Sequence, residues 1–70
     1  MKPDKRKRVN DCIDEMNRHR ANAGVLAGLL EYCDAESIDG GLVVEAGGMI
    51  CDELDEVQAW THRLAKELRR

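Results

Sequence analysis

Two runs of seam-forming positions, each spaced alternately three and four residues apart, constrain this chain more than any other feature. The first passes through Val9, Cys12, Met16, His19, Ala23, Leu26, Leu30 and Cys33. That spacing has a period near 3.5 residues, the seam of a helix that packs lengthwise against another. Ile13, Ala27 and Leu29 flank the seam and widen it, as in a helix with more than one neighbour. Pro3, with its fixed φ and missing N–H, suits the first turn and marks the start.

The second run comprises Val43, Ala46 or Gly47, Ile50, Leu54, Val57, Trp60 or Thr61, Leu64 and Leu68. Between the runs, Ser37, Asp39 and the Gly40-Gly41 pair collect the residues that turns and caps prefer. The pattern predicts one all-α domain over residues 1–70: a helix over about 3–35, a turn over about 36–41 and a helix over about 42–69. Folded back, the runs match in length and register. Cys33 falls beside Val43, Leu26 beside Ile50, Ala23 beside Leu54, Cys12 beside Leu64 and Val9 beside Leu68. Large positions meet small ones at several levels, as interdigitated layers require.

Gly47-Gly48 is the weak point, because each glycine inside a helix costs about 1 kcal/mol relative to Ala. In one reading the pair lets the helices approach opposite Leu30. In the other, Leu42-Val43-Val44 is extended and the helix begins near Met49. The periodicity favours the first.

Net charge is -3, which points to no partner class; its distribution does. All 11 Lys and Arg residues lie before Ala21 or after His62. The stretch between holds nine acids: Glu31, Asp34, Glu36, Asp39, Glu45, Asp52, Glu53, Asp55 and Glu56. A hairpin gathers the bases at its open end and leaves its turn end acidic.

Seventy residues bury little surface alone, so association is expected from length. Val25, Leu29 and Tyr32 on the first helix, with Val44, Cys51 and Trp60 on the second, are the candidate dimer or partner interface. Two hairpins forming a four-helix bundle would hide such a strip. Antiparallel pairing would set each acidic end beside the other copy's basic end. Three widely spaced cysteines without a CxxC pair, and no signal peptide, point to a reduced, cytoplasmic protein. The longest charge-free run, Ala21 to Leu30, is too short to span a bilayer.

Cys12, His19 and Cys33 share the seam, but their wide separation favours structural filling over metal ligation. His19 needs a hydrogen-bond partner in a core-facing position, and fixing register suits it better than sensing pH. His62 is expected in solvent. There is no Glu-x-x-His pair, no nucleophile with a base and orienter, and no phosphate-cradling loop. Neither an enzyme nor a cofactor-bound protein is expected.

Lys5, Arg6, Lys7, Arg8, Arg63 and Lys66 are candidate phosphate contacts. Against nucleic-acid binding stand the net negative charge and the lack of aromatics among the bases. Asp52, Glu53, Asp55 and Glu56, near the apolar strip, form the candidate acidic surface for a partner protein. Trp60 is either an exposed anchor for such a contact or a packing residue beside Met16, and the sequence does not choose.

Two heptad helices, from Val9 to Cys33 and from Val43 to Leu68, joined through Ser37 to Gly41, resemble the hairpin dimers of Rop-type plasmid RNA-binding regulators. They also resemble small phage-encoded helical proteins that inactivate host regulators. The resemblance is architectural and assigns no site residue. The sequence reading is therefore a small homodimeric adaptor or regulator, of phage or other mobile-element type, that binds and modulates or inhibits another protein. A nucleic-acid-binding regulator using the basic ends is the alternative.

Overall fold

The computed structural model describes residues 1–33, 36 and 39–70. It is a hairpin of two packed helices, α1 (Pro3–Tyr32) and α2 (Gly40–Arg69), each of 30 residues. The described residues contain no strand. The Cα trace is 55 Å long and only 16 by 10 Å across. No helix is long and apolar enough to cross a membrane.

Local chemistry sets the helix ends. Pro3 occupies the first turn of α1 with Asp4 beside it, an acid placed favourably against the helix dipole. α1 stops at Tyr32, short of the expected residue 35, because Cys33 takes an extended conformation with φ -73° and ψ 141°. Of the expected turn, Ser37 and Ile38 lie outside the described residues, as do Asp34 and Ala35 just before it.

α2 starts at Gly40 rather than Leu42. Asp39 caps it, its side chain accepting from the Leu42 N–H at 2.7 Å. Gly40 and Gly41 are thus helical, and no described glycine has positive φ. Leu42, Val43 and Val44 are helical too, so the helix runs unbroken through Gly47-Gly48. Close approach of α1 is not what makes room for that pair, since a Cβ at either position would meet nothing within 4 Å. Lys66 and Arg69 in the last turn of α2 complement its dipole.

The α1 seam falls where the heptad places it. Cys12 and Ala23 are buried, and Val9, Met16, His19, Leu26 and Leu30 are half-buried; Cys33 lies in solvent. On α2, Ala46, Gly47, Ile50, Val57, Trp60 and Leu64 are half-buried as expected. Leu54 and Leu68 are not: they are 51% and 55% exposed, and Val43 is exposed as well. Glu53 and Glu67 take the seam places instead.

That exchange has a physical cause. Leu54 and Leu68 are two heptads apart, and so are Glu53 and Glu67. α2 is turned so that each glutamate meets a base on α1, Glu53 with His19 and Glu67 with Arg8. Both leucines turn outward as a result. Little is left inside: Cys12 and Ala23 are the only buried apolar residues among those described.

Candidate interaction surfaces

At 100° per residue, the two long edges of the hairpin are distinct surfaces. On one edge, at the turn end, Leu26, Leu29, Leu30 and Cys33 of α1 and Leu42, Glu45, Ala46 and Met49 of α2 line an apolar groove of about 180 Å³. It continues along the same edge past Asn22, Val25 and Glu53. The groove forms because Ala46 is small and Leu29, Leu42 and Met49 lean over the gap without closing it; all three are exposed.

Below the groove lies a charged cluster centred on His19. Its Nδ1 lies 2.5 Å from Glu53 Oε2, the ring N–H donating to a carboxylate that can only accept. Its Nε2 is 3.6 Å from Glu15 and 3.9 Å from Glu56. Arg18 donates to Glu15 at 2.6 Å. The hydrogen bond from His19 holds the Glu53 carboxyl below its ordinary range, with lesser help from Asn22 and Arg18. His19 therefore has the partner its core-facing position demands, and the bond spans the two helices.

At the open end of this edge Trp60, Arg63, Arg8, Asp11, Cys12 and Glu67 line a shallow cleft. Arg8 Nε donates to Glu67 Oε2 at 2.8 Å, which lowers the Glu67 pKa and raises that of Arg8. Arg63 sits over the Trp60 ring, 4.3 Å from its centroid, in cation–π geometry. Trp60 is half-buried at a seam position. It is thus neither a free anchor nor a sealed core residue: one side packs on the hairpin and the other carries a guanidinium.

The structure divides the expected interface between surfaces. Val25 and Leu29 border the groove edge, and Trp60 lies on it further down. Tyr32, 91% exposed, stands at the end of α1. Val44 and Cys51 point elsewhere, toward the opposite edge, with Val44 76% exposed. The acidic quartet is divided too. Glu53 and Glu56 face His19, whereas Asp52 and Asp55 lie exposed on the outer ridge of α2.

The basic end is partly self-neutralised. Lys7 pairs with Asp11 at 3.2 Å and Arg8 with Glu67, while Arg63 is held on Trp60. Lys5 is half-buried, and Arg6 and Lys66 remain exposed. Among the described residues no three His, Cys, Asp or Glu side chains are grouped to hold a metal ion.

The heptad did not announce the groove or the two interhelical pairs. A signal for the pairs was present: an acid precedes both Leu54 and Leu68 on α2, and bases stand on α1 at His19 and Arg8. Comparison with protein-family models, curated proteins and solved structures finds no match for this chain.

Proposed function

We propose that this chain is a small homodimeric helical adaptor that acts by binding, and thereby modulating or inhibiting, another protein. The groove edge is the docking surface, and a basic amphipathic helix of the partner is its occupant. One observation carries the reading: an open apolar groove, from Leu26 to Met49, with Glu45 in its lining and Glu53 and Glu56 just beyond it. An amphipathic helix lays its apolar face into such a groove. Carboxylates around it favour a ligand with lysines or arginines on its flanks, chiefly by speeding and orienting the encounter. Self-neutralisation at the opposite end leaves fewer cations for a nucleic-acid backbone, which favours a protein partner over the alternative.

Affinity capture from lysate with three baits tests this: the native chain, a Leu29→Arg/Met49→Arg variant and a Glu45→Lys variant. The native chain should retain a stoichiometric protein partner, the groove variant should lose it, and the charge variant should release it at lower salt. Equal capture by all three contradicts the choice of surface. Salt-sensitive retention of nucleic acid with no protein supports the alternative instead.

A further inference from the structure

α2 carries a second strip, about a quarter turn from its seam, on the edge opposite the groove. Val44, Gly47, Cys51 and Leu54 form its first half; Gln58, Thr61, Ala65 and Leu68 form its second. The spacing alternates three and four throughout, and not one member is charged. Gly47 and Ala65 are half-buried and the rest are exposed. The arrangement inverts the usual order of a helix: the seam facing α1 contains Glu53 and Glu67, while the strip free of charge faces solvent.

We propose that a second copy of this chain covers this strip, with α2 packed antiparallel on α2 about a twofold axis at the level of Glu56. The inference rests on the homodimeric reading above and assigns its surface, orientation and register. A twofold interface must be self-complementary, and this strip read backwards is. Centring on residue 56 aligns Val44 with Leu68 of the second copy, Gly47 with Ala65, Cys51 with Thr61, and Leu54 with Gln58. All eight positions find a partner, each layer is uncharged, and the two smallest residues meet each other.

Charge selects the orientation. Antiparallel packing sets the acidic turn end of each copy beside the open end of the other, where Lys66, Arg69 and Lys5 to Arg8 lie. Parallel packing would superpose the acidic ends. The need for such a partner is visible inside the hairpin, where Cys12 and Ala23 are the only buried residues among those described. Because the strip and the groove lie on opposite edges, the dimer presents two free grooves and should bind two partner chains.

Disulfide trapping tests surface, orientation and register together. In a chain carrying Cys12→Ala and Cys33→Ser, Cys51 is the sole thiol. The proposed register sets it about 15 Å along the axis from its own counterpart, beyond disulfide reach. Adding Thr61→Cys places a thiol opposite Cys51 of the second copy, while the two thiols of one chain stay about 15 Å apart on one helix. Copper-phenanthroline oxidation at micromolar chain concentration should convert this variant to a covalent dimer linked between positions 51 and 61. The parent with Cys51 alone should stay uncrosslinked.

Efficient linkage of the Cys51-only parent would show parallel packing and overturn the proposal. Absence of any 51–61 linkage, with helicity by circular dichroism intact, would overturn it equally. Sedimentation of the unaltered chain gives a check free of variants: a dimer is expected, and a monomer at micromolar concentration overturns the dimer altogether. Loss of partner capture with the 51–61 linkage still formed would count against the groove and leave this interface standing.

Discussion

His19 and Glu53, 34 residues apart in sequence, meet at 2.5 Å across the interhelical gap and fix how far α2 is rotated about its own axis. With Arg8 and Glu67 repeating the relationship two heptads away, the pair decides which side chains of α2 face α1. Leucines 54 and 68 are left for something outside the hairpin.

Acid should loosen this arrangement. The Glu53 and Glu67 carboxyls sit below their ordinary value of 4.5 in the folded chain, chiefly through hydrogen bonds from His19 and Arg8. A carboxyl with a lowered folded pKa stabilises fully above its unfolded value, and that stabilisation disappears as pH falls through the folded one. Thermal melts followed by circular dichroism should therefore show Tm falling steadily below about pH 4.5. A Glu53→Gln/Glu67→Gln variant should start lower at neutral pH and lose less on acidification.

Asp39 caps α2 through the bond its side chain accepts from the Leu42 N–H. Asp39→Ala should cost about 1 kcal/mol, the usual loss for a missing N-cap, and Asp39→Asn should retain most of it. Urea unfolding measures both. Equal losses would mean that the carboxylate charge, rather than the cap bond, supplies the stabilisation.

Gly48 lies mid-helix with open space where a Cβ would go, and it lies off both the seam and the outward strip. Gly48→Ala should raise stability by about 0.5–1 kcal/mol, because Ala removes the entropic cost of glycine in a helix without a clash. Destabilisation would reveal that another surface approaches the backbone here.

The two edges of α2 should answer truncation differently. Ile50 is half-buried in the seam, so Ile50→Ala should cost about 1–2 kcal/mol, less than the 2–5 of a fully buried site. Leu54→Ala should shift the melting transition only where self-association contributes, and its effect should grow with chain concentration. Denaturation at two concentrations separates the cases.

The hairpin was legible in the sequence because period-3.5 spacing and a cluster of turn formers each express a single local requirement. The α1 seam from Val9 to Leu30 and the α2 positions Ile50, Val57 and Leu64 follow from it directly. Apolar character alone misassigned Leu54 and Leu68, because the neighbouring seam places are taken by Glu53 and Glu67, each hydrogen-bonded to a basic side chain on α1. Gly40 and Gly41 read as turn residues for the same reason: composition marks them as breakers, whereas the Asp39 cap lets them begin a helix. The groove was hidden because it depends on how Leu29, Leu42 and Met49 splay around Ala46, which no single periodicity encodes.

The division of labour between the two edges can be measured without altering the chain. Leucine methyl groups, labelled with carbon-13 and followed by NMR in the presence of a water-soluble paramagnet, report their own exposure as chain concentration rises and as a captured partner is added. Self-association should shield Leu54 and Leu68 first while Leu29 and Leu42 stay accessible, and the partner should then shield Leu29 and Leu42. Shielding of Leu29 and Leu42 on self-association, with Leu54 and Leu68 accessible throughout, would contradict it.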